Sequence, residues 1–125
     1  MAGLTLDTGA LVAIERADRR MQAILDEAGA RNASIAVPAG VIAQAWRGSV
    51  RQARLARFLA LSMVTAVALD EPEARAAGVL CGRAGADDVV DASVVVCART
   101  RGHSVVTSDP GGLAALDPGL RLVAL

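Results

Sequence analysis

Four aspartates carry this chain's capacity for chemistry: Asp7, Asp88, Asp91 and Asp109. Asp7 closes the apolar run Leu4-Thr5-Leu6, and Asp109 follows Val105-Val106-Thr107-Ser108. Asp88 and Asp91 open the most apolar helical stretch of the sequence. In an open α/β sheet, ligands bind beyond the carboxyl ends of the strands, near a topological switch point. Carboxylates gathered there repel one another unless a cation neutralises them, and oxygen-only ligands favour Mg²⁺ or Mn²⁺. The pattern therefore predicts a divalent-metal site assembled by folding from residues far apart in sequence. Each aspartate also has a local explanation. Asp7 suits a helix N-cap, Asp88 and Asp91 stand at cap and N3 spacing, and Asp109 before Pro110 reads as a cap followed by proline. The two readings are compatible, because one carboxylate oxygen can cap while the other faces a cation. Asp91 lies one turn into an otherwise apolar helix, where a carboxylate needs a partner or a metal.

The rest of the inventory removes competing chemistries. All 13 basic residues are arginine. Without lysine there is no P-loop and no Schiff base. A phosphoacceptor receiver domain also gathers aspartates at strand ends, but it uses a lysine that is missing here. His103 is the only histidine, which argues against zinc, and its place at a helix–strand turn predicts a surface position. Cys81 and Cys97 lack CxxC spacing and read as buried free thiols, implying a reducing compartment. Formal net charge is zero, so nucleic-acid contact would need a local arginine patch rather than a global field. Arg47, Arg51 and Arg54 follow helical spacing after Gln44, with Arg57 drifting off the stripe; Arg16, Arg19 and Arg20 form a second cluster. Either group reads as a solvated helix face, as phosphate contacts, or as an anchor for an acidic partner segment. Trp46 reads as core or as an interface anchor rather than a base-stacking platform.

These side chains must be positioned by alternating strands and helices. At 125 residues the chain fits one domain, able to bury a core without disulfides. We expect strands at 4–6, 34–37, 63–68, 104–107 and 120–124, the third of them buried. Helices are expected from Thr8 to about Glu15, Asp18 to about Ala30, Ala39 to Trp46 and Val50 to Leu61. Three more follow: Asp70, Pro72 and Glu73 start one that stops near Gly85, Val89 to Arg101 forms the most apolar, and Pro110 to Leu116 the last. This alternation predicts a three-layer α/β/α sandwich around a mostly parallel sheet. No apolar stretch reaches the roughly 18 residues of a membrane span. The N-terminal MAGLTLDTGA lacks a basic n-region, so a cytoplasmic location is expected.

Four segments carry a resemblance: LDTGALVAIER at 6–16, VPAGVIAQAWRG at 37–48, DVVDASVVVCARTRG at 88–102 and VVTSD at 105–109. In order and spacing they resemble PIN-domain proteins, most closely the VapC-type toxins of toxin–antitoxin pairs, over essentially the whole chain. The resemblance implies a metal-dependent ribonuclease that holds Mg²⁺ or Mn²⁺ on acidic residues and cuts single-stranded RNA to a 5′-phosphate and a 3′-hydroxyl. It implies an antitoxin partner, a single-stranded or structured RNA substrate and a homodimer. It assigns Asp7, Asp91 and Asp109 as the matching acids, with Thr107 and Ser108 beside them to orient Asp109 or a phosphate. One position departs from the pattern. Where the family usually has a glutamate, four residues before the glycine that ends its third helix, this chain has Gln44. Asp88, one turn before Asp91, is an acid many relatives lack, and we expect it to replace the missing charge. The competing view is a weakened site on a PIN-like module that docks a partner. A third reading, another Mg²⁺-dependent phosphotransferase or phosphatase on a Rossmann-like sheet, is disfavoured by the lack of lysine.

Overall fold

The computed structural model describes residues 3–125; residues 1–2, the start of the segment read above for a leader, lie outside them. Five parallel strands form one sheet: β1 (Leu4–Leu6), β2 (Ile35–Pro38), β3 (Val64–Val67), β4 (Ser104–Thr107) and β5 (Leu122–Ala124), in the order β3-β2-β1-β4-β5. The chain therefore moves outward from β1 to β2 and β3, then returns across the sheet to β4 and β5. Parallel crossovers are right-handed, so the two directions of travel put their helices on opposite faces. The switch point lies between β1 and β4, which pair Thr5 with Val105 and Leu6 with Val106.

Seven α-helices cover the sheet: α1 (Thr8–Glu15), α2 (Arg19–Ala30), α3 (Ala39–Ala45), α4 (Ala53–Leu59), α5 (Glu71–Ala84), α6 (Val89–Arg101) and α7 (Pro110–Leu116). α1 packs against α2, α3 and α4, whereas α6 packs against α5 and α7. This is the expected three-layer sandwich. α6 is its central helix: every residue from Ala92 to Ala98 is buried. A helix apolar all round can be stable only when surrounded, and α6 is held between sheet and outer helices. Its last turn carries Arg99 and Arg101, and Gly102 ends it with φ of 67°, a left-handed cap that costs glycine nothing. Asp70 caps α5 by accepting from the Glu73 N–H at 3.0 Å, as its sequence predicted. Cys81 and Cys97 are buried free thiols, and burial pushes the Cys97 thiol up. Among the described residues no helix is long and apolar enough to cross a membrane.

Several expectations are corrected. The third strand is an edge strand, with Thr65 and Ala66 exposed, because nothing pairs beyond it. The helix expected from Val50 to Leu61 is a 3-10 turn at Val50–Gln52 followed by α4. Gln52 bends the chain there because its side chain is committed to backbone groups of the preceding turn. Trp46 caps the C-terminal end of α3 and remains 38 % exposed, so it is not core. His103 is not on the surface: it is 8 % exposed, and its Nδ1 shares a 3.0 Å hydrogen bond with the Thr5 hydroxyl. The turn that follows Gly102 folds inward, where a histidine can pair with a buried strand threonine. Burial, and then the nearby Arg101 charge, lower its pKa and keep it neutral.

Candidate metal centre at the carboxyl ends of the strands

The switch point collects the acids. Asp7 follows the last residue of β1 and caps α1, accepting the Ala10 N–H at 2.9 Å. Asp109 stands two residues beyond β4 and caps α7 through the Gly112 N–H at 3.1 Å. Asp88 caps α6, accepting the Asp91 N–H at 3.0 Å. The local capping explanation is therefore correct for Asp7, Asp88 and Asp109. Helix N-termini also favour negative charge, so three helix starts point at the same end of the sheet.

Capping does not exhaust these carboxylates. Asp7 is only 5 % exposed. Burial raises its pKa, and the charge of Asp109 adds to the rise; a hydrogen bond from the Thr107 hydroxyl and the α1 backbone amides oppose it. Asp91 is pushed up to about 6, first by burial, then by Asp88, and further by Asp7 and Asp109. Asp91 thus feels the charge of the other three acids, and Asp7 that of Asp109, although 102 positions separate Asp7 from Asp109. None has an ion-pair partner among the described salt bridges. The charge is left uncompensated by the protein itself.

Thr107 links two of the acids. It is fully buried; its oxygen accepts the Asp109 N–H at 2.8 Å, and its hydroxyl bonds to the Asp7 carboxylate. The last residue of β4 therefore fixes Asp7 relative to Asp109. Ser108 is exposed beside it. A Cβ on Gly9 would lie 1.9 Å from the Ser108 oxygen, so only glycine lets α1 start this close to the end of β4. Gln44 is also brought to this end of the sheet: its side-chain oxygen accepts the hydroxyl of Thr8, the neighbour of Asp7.

The arginine stripe is not brought together as a helix face. Arg47 lies in the turn after α3 and donates to the carbonyls of Ala43 and Trp46 at 3.1 and 2.7 Å. Arg51 is exposed on the 3-10 turn, and Arg54 donates to the Glu15 carbonyl at 2.9 Å. The break at Gln52 destroys the periodicity on which the stripe depended. Sequence reasoning missed Gln52 itself. It is 4 % exposed and makes four hydrogen bonds, accepting from the backbone of Arg47 and Gly48 and donating to Glu15 and the Ala45 carbonyl. No periodic or compositional signal sets this glutamine apart from a solvated one. Its effect is to tie the end of α3, and so Gln44, to the end of α1.

The donor set is oxygen-only, negatively charged and without a protein cation, which suits Mg²⁺ or Mn²⁺ and not zinc. Among the described residues no three His, Cys, Asp or Glu side chains converge closely enough to hold one ion directly. Mg²⁺ usually keeps several waters and takes only one or two carboxylates directly. The spacing therefore fits a site completed by water better than a closed protein cage.

A parallel α/β sandwich with acids gathered at its switch point defines a class in which ligands and cations sit beyond the strand ends. The PIN domain model matches residues 4–117, and the chain belongs to the PIN domain family. PIN domains are generally metal-dependent nucleases. No curated protein matches the chain. Among solved structures it is similar to VapBC2 from Rickettsia felis bound to a DNA fragment from its promoter, at 20 % identity, 98 % coverage of each chain and a TM-score of 0.74. A toxin–antitoxin complex from Klebsiella pneumoniae gives 16 % identity, 98 % and 97 % coverage and a TM-score of 0.74. DNA-bound VapBC from Salmonella typhimurium gives 18 % identity, 99 % and 98 % coverage and a TM-score of 0.71. At these identities the similarity defines the fold.

Proposed function

We propose that this protein is a metal-dependent endoribonuclease, the toxin of a VapBC-type pair, restrained by a cognate antitoxin in the cytoplasm and acting as a homodimer on single-stranded RNA. One observation carries the reading: Asp91 at the strand ends feels the charges of Asp7, Asp88 and Asp109, and among the described residues no arginine is paired with any of the four. Bound Mg²⁺ or Mn²⁺ supplies a water of lowered pKa as nucleophile and charge to stabilise the leaving oxyanion. Asp7, Asp91 and Asp109 hold that charge, and Asp88 adds the carboxylate that Gln44 lacks. Thr107 keeps Asp7 and Asp109 in register, and Ser108 donates a hydroxyl toward the phosphate. Gln44, held by Thr8, orients water or phosphate without acting as a base. The lone His103 is committed to Thr5 and takes no part.

The test is cleavage of a mixed RNA pool by antitoxin-free protein with Mn²⁺ or Mg²⁺, beside EDTA and Asp7→Asn. Cutting that needs the metal and is lost in the variant supports the proposal. Silence from folded protein favours the second reading, a PIN-like binding module, to which Gln44 and the open spacing of the acids lend support.

A further inference from the structure

Helix α1 is fastened at both ends to the stretch running from α3 to α4, and each fastening uses a glutamine amide. At its start, the Thr8 hydroxyl donates to the side-chain oxygen of Gln44. At its end, the Glu15 carboxylate accepts Gln52 Nε2 at 2.6 Å, and the Glu15 carbonyl accepts Arg54 at 2.9 Å. Thr8 and Glu15 stand about 10 Å apart along the helix at 1.5 Å per residue. The stretch from Gln44 to Gln52 therefore follows α1 over its length, and Asp7 caps the Thr8 end.

Gln52 is the only buried amide side chain among the described residues. A primary amide carries two N–H donors and two acceptor lone pairs, and burial demands that they be used. All four are. Nε2 donates to Glu15 and, at 2.8 Å, to the Ala45 carbonyl; Oε1 accepts the Arg47 N–H at 2.7 Å and the Gly48 N–H at 3.1 Å. Three of these bonds go to the residues that directly follow Gln44. Gln52 thus fixes where α3 ends, and with it the backbone from which the Gln44 side chain departs. Gln44 is exposed and its side chain is held by Thr8 alone. Asp7, Asp88 and Asp109 depend less on this clasp, because each is held by its own helix cap.

Resting on the ribonuclease reading above, we propose that Gln52 is a positioning residue for the reaction. Acting through the end of α3, it keeps the Gln44 amide against Thr8, at the metal end of the sheet, where that amide orients water or phosphate in the chemical step. Glu15 completes the clasp by fixing the Gln52 amide from the far end of α1.

The position of Gln44 can be read without metal or RNA. The chain has only the glutamines Gln22, Gln44 and Gln52, so Gln44→Ala assigns the Gln44 side-chain amide in proton–nitrogen correlation spectra. Gln52→Ala should move that signal toward the shift of a freely solvated amide. Glu15→Ala, a milder change, should move it part of the way, and Glu15→Gln, which keeps an acceptor for Gln52, should leave it in place. Gln22→Ala, on the exposed face of α2, should also leave it in place. A Gln44 signal that stays put in folded Gln52→Ala and Glu15→Ala overturns the proposal. Cleavage of the RNA pool at saturating Mn²⁺ adds the kinetic test. Gln52→Ala and Gln44→Ala should each lower kcat about tenfold, with Mn²⁺ affinity unchanged. The double variant should fall no further than either single one, as residues acting as a unit do. Effects that multiply would show that Gln52 serves stability alone, and overturn the positioning role. The two readings fail separately. Cutting by wild type with an unmoved Gln44 signal sinks the clasp and leaves the ribonuclease. A moved signal with no cutting by wild type sinks the ribonuclease and leaves Gln52 as the residue that places Gln44.

Discussion

Asp91 shows what gathering buried carboxylates costs the fold that carries them. Its folded pKa of about 6 lies above the ordinary 3.8, so folding favours the protonated form. The stabilisation is complete below the unfolded value and is lost as pH rises through about 6. Metal-free protein should therefore lose stability between pH 4 and pH 7 on the order of 1 kcal/mol, after allowing for Asp91's partial exposure. Asp91→Asn should remove most of that slope, so thermal melts in EDTA at pH 5 and pH 7.5 would show a smaller difference than wild type. An unchanged slope would mean that Asp91 is not the strained acid. Asp88 tests the compensation for Gln44. Asp88→Asn keeps the cap on α6, because asparagine caps equally well, and removes only charge. Mn²⁺ affinity should fall about tenfold; unchanged affinity with intact helix content would leave Asp88 a cap and nothing more.

At the scale of elements, the polar side chains that join helices and strands matter more than the exposed arginines. Gln52 holds together the end of α3, the following turn and Glu15 at the end of α1. Gln52→Ala would leave the part-buried backbone groups of Ala45, Arg47 and Gly48 without their side-chain partner, at a cost of about 1–3 kcal/mol in urea unfolding. A loss below about 0.5 kcal/mol, typical of a surface change, would show that water replaces the clasp freely. Thr107 joins β4 to β1 through two acids. Thr107→Val preserves shape and burial while leaving the Asp109 N–H without its acceptor, so stability should fall by about 1–3 kcal/mol. Nuclease activity should fall with it, and Thr107→Ser should recover most of both.

At the scale of the whole molecule, the sheet order decides where charge accumulates. β1 and β4 are neighbours only because the chain reverses direction after β3, and that reversal places Asp7 beside Asp109. A cation bound there links sequence-distant elements and should stabilise the whole fold by mass action. At a hundred times its dissociation constant, Mn²⁺ should add about 2.7 kcal/mol to wild type. Asp7→Asn should gain far less. Equal shifts in both proteins would point to diffuse surface binding and away from a defined centre.

Local physics was legible in the linear chain. The caps at Asp7, Asp70, Asp88 and Asp109, the boundaries of α1, α6 and α7, and the parallel alternation follow from side-chain geometry within a few residues. The four acids were readable as candidates for the same reason, since each marks the end of a strand or the start of a helix. What only the tertiary structure decided depends on contacts across the chain. His103 is buried because Thr5 meets it, β3 is an edge because nothing pairs beyond it, and the Gln52 amide is claimed both by the preceding turn and by Glu15 from across the chain. Burial and the proximity of like charge set the behaviour of Asp7 and Asp91, and both are properties of the packed sheet, absent from any local stretch of sequence.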